Sequence, residues 1–447
     1  MPGRKGRRWL LLASSEVLAI GLLLAPDART HLAVSLVLCA AASLLALIAA
    51  RSLSGSGPAF LLLAGGLLRA TLLLRAPDLS DDLKRYAWDA TVGAAGISPY
   101  AYAPTDPRVA HLAPELSARL PHAEVRTVYP PVAQAAFRAG RMLGGGALPL
   151  KILFAAADLS IVALLLALGG PGAGFAAALY AFHPLPILES AGQGHLDALG
   201  VALLLASLVY LVRARPARAG VAFALAVLTK YVSAVAAIPL LRRGRARVAL
   251  SALVAGASLW LCAVRGGVSP LGGLPDYASR WEFNSIAYPA LTGFFERTGA
   301  PEHAKNAFLV LKERLGHPPW TQSLFPFFYA GLFARATLAV ALAATLVAIG
   351  WSVAETEGAI FASLAALLLA SPTLHPWYVL WVLPFAARRR EAAFLYLSFA
   401  VPLSYALLYP VAWLTPPLVL LLEYGPFAVL LIRTLLRRSP PIRAEAA

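Results

Sequence analysis

The sequence predicts an all-α protein that crosses a membrane many times. Of its 447 residues, 59% are hydrophobic and only 13% are charged, and the mean hydropathy is +0.71. A soluble core could not absorb so much apolar surface. Long apolar runs lie at 32–50, 60–74, 201–212 and 336–353, and several approach the roughly 20 residues that a helix needs to span hydrocarbon. We expect one transmembrane domain over residues 1–447, a bundle of about 13–14 membrane helices, some of them short.

The positive charge is placed where it would set the membrane topology. The net charge of +16 would suit a nucleic-acid partner if it lined one soluble face, but the basic residues sit in short clusters between apolar runs. Loops rich in Lys and Arg stay in the cytoplasm, so the expected partner is the lipid bilayer and no nucleic acid. The clusters lie at residues 4–8, 213–218, 242–247, 388–390 and 433–443.

If every basic cluster is cytoplasmic, most residues capable of chemistry fall on the outer face. Residues 76–148 then form a first outer loop and residues 266–325 a second large one, while the chain near Lys230 turns back between two short helices. The first loop is too rich in Tyr, Trp and Pro for a disordered linker, and we expect short interfacial helices near 83–95 and 131–143. The spans expected around these loops are 9–25, 31–50, 59–75, 149–169, 172–188 and 246–265.

Two adjacent carboxylates, Asp81 and Asp82, follow directly on a predicted span. Low dielectric and like-charge repulsion can raise a carboxyl pKa at such a place, which suits a general base. The alternative is a structural role, in which Ser80 or Asp81 caps the helix that follows and Asp82 pairs with Arg85 or Arg126. The residues alone leave both interpretations open.

Seven short motifs, spread in order over most of the chain, resemble those of one enzyme family. They look like the bacterial GT-C glycosyltransferases, which take sugars from polyprenyl phosphates and include many mannosyltransferases. The acidic pair after an early span, together with the last motif, is the most specific part of the resemblance. The motifs are DLKRYAW at 82–88, GISPY at 96–100, YPP at 129–131, GHLDA at 194–198, LTK at 228–230, WEFN at 281–284 and HPWY at 375–378.

The resemblance implies a GT-C-like bundle and a reaction. In the family, an acidic residue of the first outer loop deprotonates the acceptor hydroxyl, which attacks the anomeric carbon and displaces a lipid phosphate with inversion. Asp82 is the first choice for this base and Asp81 the close alternative. The implied location is the bacterial cytoplasmic (inner) membrane, with the active site facing the periplasm or exterior.

The resemblance also implies the molecules that the protein meets. The lipid-linked sugar donor is a co-substrate, and the acceptor is a glycan, a glycolipid or a protein. The family contains metal-assisted and metal-independent members, so a divalent cation stays open and no metal ligand is assigned.

A departing lipid phosphate needs positive charge or strong hydrogen-bond donors. For Lys230, a snorkelling side chain is an equal alternative to phosphate contact, and for Arg280 a solvated loop charge is favoured. The phosphate-binding candidates are Arg85, Lys230, Arg280 and His375. The candidates for binding the sugar or acceptor are His195, Asp197, Asn284, Trp377, Tyr378 and Tyr86. For Trp377 and Tyr378 the alternative is an aromatic anchor at the membrane interface.

Four residues inside predicted spans need their own interpretation. Glu16 and Asp158 are ionisable groups in costly surroundings, and we expect each to make a buried hydrogen bond to a neighbouring helix, such as Asp158 with a Ser or Tyr. Cys39 and Cys262 lie in apolar runs and are expected to be small hydrophobic residues rather than a disulfide or a metal pair.

The competing class is a transporter or flippase of lipid-linked sugars. Such proteins show inverted repeats and charges near the bilayer midplane, whereas this sequence shows no clear repeat and its candidates cluster at the outer ends of spans. A non-catalytic scaffold would not depend on the acidic pair. The cytoplasmic segments are too short for a Rossmann-like domain, which fits a lipid-linked donor better than a nucleotide sugar.

Overall fold

The fold is all-α, as the sequence predicts. The computed structural model describes residues 4–242, 245–263, 268–269 and 271–438. Within these residues the backbone forms helices, loops and two isolated β-bridges, Phe283 with Thr373 and Val411 with Leu414.

The chain up to residue 229 alternates long apolar helices with short ones. Its α-helices are α1 (Arg4–Leu24), α2 (Ala28–Leu53), α3 (Pro58–Leu73), α4 (Asp82–Ala94), α5 (Pro107–Ala110), α6 (Pro114–Arg119), α7 (Pro131–Met142), α8 (Ala147–Leu168), α9 (Ala173–Phe182), α10 (Pro184–Pro186), α11 (Asp197–Val212) and α12 (Pro216–Thr229). A π-helical segment, Ile187–Gly192, lies between α10 and α11.

The rest of the chain adds ten α-helices and four 3₁₀ segments among the residues described. The α-helices are α13 (Ala237–Leu240), α14 (Ala246–Ala263), α15 (Leu274–Arg280), α16 (Ala287–Thr298), α17 (Ala300–Arg314), α18 (Ala330–Ser352), α19 (Thr356–Ala370), α20 (Leu383–Arg389), α21 (Ala392–Ala400) and α22 (Pro416–Arg438). The 3₁₀ segments are Tyr231–Ala236, Pro319–Phe327, Pro376–Trp381 and Val401–Leu407.

The described residues form two compact units. The first contains α1–α12, α14 and α20–α22, together with the segments Pro376–Trp381 and Val401–Leu407. The second contains α13 and α15–α19.

Several helices are suited to cross a membrane. Five of them, α2, α8, α14, α18 and most of α22, are long and apolar enough. A sixth span results if the bent pair Pro184–Gly192 and Asp197–Val212 counts as one. Apolar helices of 10–17 residues, among them α3, α9, α12 and α19, add to these. The chain is therefore a multi-pass membrane protein, and the expected number of about 13–14 spans depends on the shorter helices also crossing.

Helices α4 and α7 confirm the two short helices predicted near residues 83–95 and 131–143. Pro131 begins α7 with its φ already set for a helix. Tyr86 of α4 stacks on Phe137 of α7 with ring centroids 4.3 Å apart, and it meets Phe154 of α8 edge to face. This aromatic contact fixes α4, and with it the acidic pair at its beginning, against the helix bundle.

The ionisable residues inside the helices find partners on neighbouring helices. Asp158 of α8 accepts hydrogen bonds from the Tyr180 hydroxyl and from Arg69 Nε, both at 2.6 Å. Glu16 of α1 accepts one from the Thr71 hydroxyl at 2.9 Å. The prediction of a buried hydrogen bond is confirmed for Asp158, for which the structure adds a buried cation. The predicted hydrogen bond of Glu16 to a neighbouring helix is present but only partly buried.

Helices are interrupted at the two places that carry residues of the candidate site. Helix α12 ends at Thr229, and Lys230 has an extended backbone before the next 3₁₀ turn, so the helix is interrupted at the residue where a turn is predicted. Between the π-helical segment and α11 the helix axis bends by 119°. Gly194 lies in this break with φ +75°, where a Cβ would come within 2.7 Å of Leu83 Cδ1, so glycine is required both for the backbone and for the close approach.

Candidate functional site

The segment before α4 is held by contacts from several parts of the first unit. Asp78 accepts hydrogen bonds from the Ala28 backbone N–H at 2.8 Å and from Gln193 Nε2 at 3.0 Å. Gln193 Oε1 in turn accepts from the Leu79 N–H at 2.9 Å, and the Tyr409 hydroxyl donates to the Leu79 carbonyl at 3.3 Å. These contacts fix where the two following carboxylates point.

Asp81 is neutralised by two cations. Its Oδ1 lies 2.8 Å from Arg29 Nη2 and 2.7 Å from Lys84 Nζ. Burial raises the pKa of Asp81, but the hydrogen bonds from Lys84 and Arg29 outweigh it and lower the pKa below its ordinary value of 3.8. Asp81 also occupies the N-cap position of α4 without a side-chain capping bond. This carboxylate is committed to an ion-pair cluster.

Among the residues that the structure describes, Asp82 has no Lys or Arg partner. Its Oδ2 accepts one hydrogen bond, from the Tyr86 hydroxyl at 3.3 Å, and lies 4.0 Å from His195 Nε2. Its side chain is 33% exposed. The Ser80 hydroxyl accepts from the Asp82 backbone N–H at 3.2 Å, a local turn contact one residue before the N-cap residue Asp81. The expected side-chain cap by Ser80 or Asp81 is not seen at the described start of α4. The Asp81 side chain is nearly as exposed, at 24%, so the two acids differ in their cation partners rather than in their exposure.

The alternative in which Asp82 pairs with Arg85 or Arg126 is wrong, since neither pair is present among the described residues. Arg85 Nε instead pairs with Asp89 at 3.0 Å, one helical turn further on, and its Nη1 donates to the Val125 carbonyl. Asp89 is fully buried and also accepts from Thr127 and Gln134. Arg85, a candidate for phosphate binding, is thus held by Asp89 and the Val125 carbonyl.

His195 lies at the bottom of the site, fully buried. Its Nδ1 is 2.9 Å from Glu189 Oε2, also fully buried, and the Tyr405 hydroxyl donates to both Glu189 oxygens at 3.0 and 3.1 Å. The Trp377 ring stacks on the imidazole with centroids 3.8 Å apart. Among the residues that the structure describes, neither ring nitrogen has a partner in hydrogen-bond geometry. The imidazole therefore presents Nε2 toward Asp82.

Asp197 and Lys230 form the second half of this site. Lys230 Nζ and Trp381 Nε1 both donate to Asp197 Oδ1 at 2.7 Å. Lys230 Nζ also lies 4.1 Å from the centre of the Tyr378 ring, a cation–π contact. The Lys230 side chain is 19% exposed and Asp197 only 1%. An ammonium group has three N–H donors, so Lys230 can contact a ligand without giving up Asp197.

The structure brings seven of the predicted residues together in the first unit. Asp82, Tyr86, His195 and Trp377 lie together, and beside them is the pair Asp197 and Lys230 with the Tyr378 ring over the ammonium group. Tyr86 is itself fully buried, so it can act only through the hydroxyl that it gives to Asp82.

Three predicted residues lie in the second unit. Arg280 is 60% exposed and pairs with Asp276 at 3.4 Å, as a solvated loop charge does. The His375 ring stacks on Phe283 with centroids 4.6 Å apart, next to the backbone bridge from Phe283 to Thr373. Asn284 is buried with φ +49°.

Sequence reasoning missed four residues that shape the site: Glu189, Tyr405, Gln193 and Arg29. For Glu189 a signal existed, because an acidic residue within the apolar run PLPILE is by default a functional candidate in a membrane protein. Its placement in a π-helical segment is a second such feature. The other three residues gave no local signal.

No metal site is seen within the described part of the chain, where no three His, Cys, Asp or Glu side chains lie close enough to hold an ion. Cys39 and Cys262 are both free, which agrees with the prediction that they form no disulfide.

A multi-pass helical protein in which carboxylates, an imidazole and an ammonium group meet at helix breaks has the make-up of a membrane-embedded enzyme. The model of Glycosyltransferase family 87 matches residues 127–372, more than half of the chain. The chain belongs to this family and is a glycosyltransferase. The matched range includes Glu189, His195, Asp197 and Lys230 and begins after the acidic pair. No curated protein and no solved structure matches the chain.

Proposed function

We propose that this glycosyltransferase transfers mannose from a polyprenyl monophosphate carrier to an acceptor hydroxyl, with inversion at the anomeric carbon. In this proposal Asp82 is the general base. The carrier and the sugar follow from the resemblance of the seven motifs to the GT-C enzymes. The single observation that supports the base is the difference between the two acids. Asp81 is held by two cations at 2.7–2.8 Å, while Asp82 has one weak hydrogen bond and an exposed edge.

In the proposed reaction the acceptor O–H bond breaks and its proton passes to the Asp82 carboxylate. The acceptor oxygen forms a new bond to the anomeric carbon from the face opposite the phosphate. The bond from that carbon to the phosphate oxygen breaks, and its electron pair leaves with the lipid phosphate. A carboxylate positioned in this way contributes about 10²–10⁴-fold to the rate of such a step.

Lys230 is the proposed partner of the leaving phosphate. Its exposed N–H donors can receive charge that develops on the phosphate oxygens, and Asp197 and Tyr378 hold its ammonium group in place. Arg85 is left out because Asp89 holds it. Arg280 and His375 remain candidates from the sequence motifs.

The proposed location is the bacterial inner membrane, with residues 76–148 and the acidic pair on the periplasmic or exterior side. The positive-inside distribution of Lys and Arg supports this orientation. A reporter enzyme fused after Gly145 should be active only outside the cytoplasm, and activity on the cytoplasmic side would reverse the orientation.

The test of the proposed function is direct transfer. The purified full chain is supplied with polyprenyl-phosphate mannose and a panel of glycan, glycolipid and peptide acceptors, and the linkage of the product is read by NMR. We expect a mannosylated product of inverted anomeric configuration, and we expect Asp82→Asn to lower kcat by about 10²–10⁴-fold. Glu115→Gln, which changes an exposed carboxylate of the same loop, is the matched control and should keep wild-type kcat.

Two results would contradict the proposal. Retention of the donor's anomeric configuration would exclude single displacement, and wild-type kcat in Asp82→Asn would exclude the base. Transfer from another polyprenyl-phosphate sugar, with none from mannose, would change the assigned sugar alone.

A further inference from the structure

A buried chain of three polar side chains leads away from Asp82. The Tyr405 hydroxyl donates to Glu189, Glu189 Oε2 lies 2.9 Å from His195 Nδ1, and His195 Nε2 lies 4.0 Å from Asp82 Oδ2. Tyr405, Glu189 and His195 are at most 1% exposed. Only the Asp82 end of the chain reaches the surface.

Glu189 differs from three other buried carboxylates in its partners, since each of the other three pairs with an arginine or a lysine. Asp158 pairs with an arginine at 2.6 Å, Asp89 with an arginine at 3.0 Å and Asp197 with a lysine at 2.7 Å. Within the described residues, Glu189 meets a hydroxyl and an imidazole. Taking a charged carboxylate out of water costs several kcal/mol unless a partner compensates it. His195 can supply that compensation only when its ring carries a second proton.

The imidazole is held by contacts that do not depend on its charge. The His195 backbone N–H donates to the Glu189 carbonyl at 2.8 Å, and Trp377 stacks on the ring at an interplanar angle of 19°. Gly194 turns the backbone just before His195, in a conformation that would strain any other residue. The ring is therefore oriented with Nδ1 beside the Glu189 carboxylate and Nε2 facing Asp82.

We propose that His195 is a second proton acceptor behind the general base, with Glu189 and Tyr405 as its positioning residues. This inference rests on the proposed function of Asp82. After Asp82 takes the proton of the acceptor hydroxyl, the Asp82 O–H bond breaks and an Nε2–H bond forms on His195. Asp82 is a carboxylate again, and the positive imidazolium faces the negative Glu189. The proton returns to water through the exposed edge of Asp82 when the products leave.

The distance fits a transfer that occurs in the substrate complex. At 4.0 Å, Nε2 and Oδ2 are beyond hydrogen-bond range, and a movement of about 1 Å brings them to the 2.6–3.2 Å that proton transfer needs. Catalytic hydrogen bonds are often long before substrate binds. The arrangement is comparable to a base oriented by a third group, as in nucleophile–base–acid triads.

The alternative role for His195 is contact with the sugar or the phosphate, and the kinetic constants distinguish the two. Loss of a binding contact raises the KM of the donor, whereas loss of a proton acceptor lowers kcat and leaves the donor KM unchanged. Residues that act as one unit also show non-additive losses. If His195 only bound the donor, His195→Gln would reduce activity by the same factor in the wild type and in Asp82→Asn.

The experiment measures kcat and donor KM for Asp82→Asn, His195→Gln, Glu189→Gln and Tyr405→Phe in the full chain. We expect His195→Gln and Glu189→Gln to lower kcat by about 10–100-fold, and Tyr405→Phe by a smaller factor, with donor KM within twofold of wild type. In Asp82→Asn, adding His195→Gln should change kcat by less than threefold.

Two controls match the chemistry and burial of these variants. His183→Gln removes another fully buried imidazole, which pairs with Ser398. Tyr180→Phe removes another buried hydroxyl that donates to a carboxylate, Asp158. Both should keep wild-type kcat.

If His195→Gln fails to fold, Tyr405→Phe decides the question, because it removes one oxygen atom and leaves the charges in place. Wild-type kcat in Tyr405→Phe and Glu189→Gln overturns the proposal, and so does a raised donor KM at unchanged kcat in His195→Gln. Either result leaves the proposed function intact as long as Asp82→Asn lowers kcat by at least about 100-fold. Wild-type kcat in Asp82→Asn would instead refute the base itself.

Discussion

Removing Arg69 should destabilise the fold strongly because it leaves a buried charge without its partner. Its guanidinium is 2% exposed and pairs with the fully buried Asp158 at 2.6 Å. It also donates to the backbone carbonyls of Gly65 at 2.9 Å and Ala181 at 3.1 Å. In Arg69→Met, Asp158 keeps the Tyr180 hydroxyl but meets no cation among the described residues.

The expected loss follows from the burial of both partners. Breaking a buried ion pair from one side costs about 3–5 kcal/mol, whereas replacing both partners by neutral groups is often close to neutral. Arg69→Met should therefore lower the free energy of unfolding by about 3–5 kcal/mol. The double variant Arg69→Met with Asp158→Asn should lose less than Arg69→Met alone, since it buries no charge.

The assay is equilibrium unfolding in mixed micelles, with helicity read by circular dichroism. Arg108→Met breaks the exposed pair with Asp106 and serves as the control, with no measurable change in stability expected. Wild-type stability in Arg69→Met would refute the reasoning, and so would a double variant less stable than the single one.

The pKa of Asp81 is lowered below 3.8, so its ion pairs stabilise the fold above that pH, and this stabilisation is lost as the pH falls through the lower pKa of the folded state. Asp81→Asn should melt slightly earlier than wild type at pH 7, and the difference should shrink as the pH falls below 3.8. Gly200→Ala would place a Cβ against the Trp381 ring and should lower the free energy of unfolding by about 1–3 kcal/mol by overpacking. Gly55→Ala, whose Cβ would meet open space, is the control and should not lower it. Equal melting temperatures of the two variants would contradict this. Lys230→Met should raise the donor KM by about 10–100-fold, the value of a charge-assisted hydrogen bond, and an unchanged KM and kcat would remove Lys230 from the phosphate site.

The sequence predicts the elements of the fold well because their cause is local. Apolar runs of membrane length give the helices, and Pro131 marks the start of a short one. The break at Lys230 follows from a charge that one straight span could not carry. An acid such as Asp158 inside an apolar run must pair with a polar side chain, which limits the helices that can pack against it. That its partner is Arg69, 89 residues away, requires the packing of α3 against α8.

The candidate site is less predictable because its decisive contacts join distant residues. Adjacency makes Asp81 and Asp82 equivalent in the sequence, and Arg29, 52 residues before Asp81, makes them different in the structure. Even the local prediction for Arg85 was wrong, because the residue one turn further on, Asp89, lies on the same helix face and offers a buried carboxylate.

The environment of His195 likewise depends on residues far from it in the chain. Its contact with Glu189 requires the π-helical segment and the 119° bend, and Tyr405 comes from a segment more than 200 residues later. No motif spacing encodes these contacts.

The central claim is that Asp82, rather than Asp81, removes the acceptor proton. The most direct measurement compares kcat of Asp82→Asn with that of Asp81→Asn under saturating polyprenyl-phosphate mannose and acceptor, with both variants shown to be folded by circular dichroism. We predict that Asp82→Asn is slower by about 100-fold or more, because only Asp82 loses a general base, while Asp81→Asn loses two ion pairs. Equal values, or a slower Asp81→Asn, would contradict the assignment.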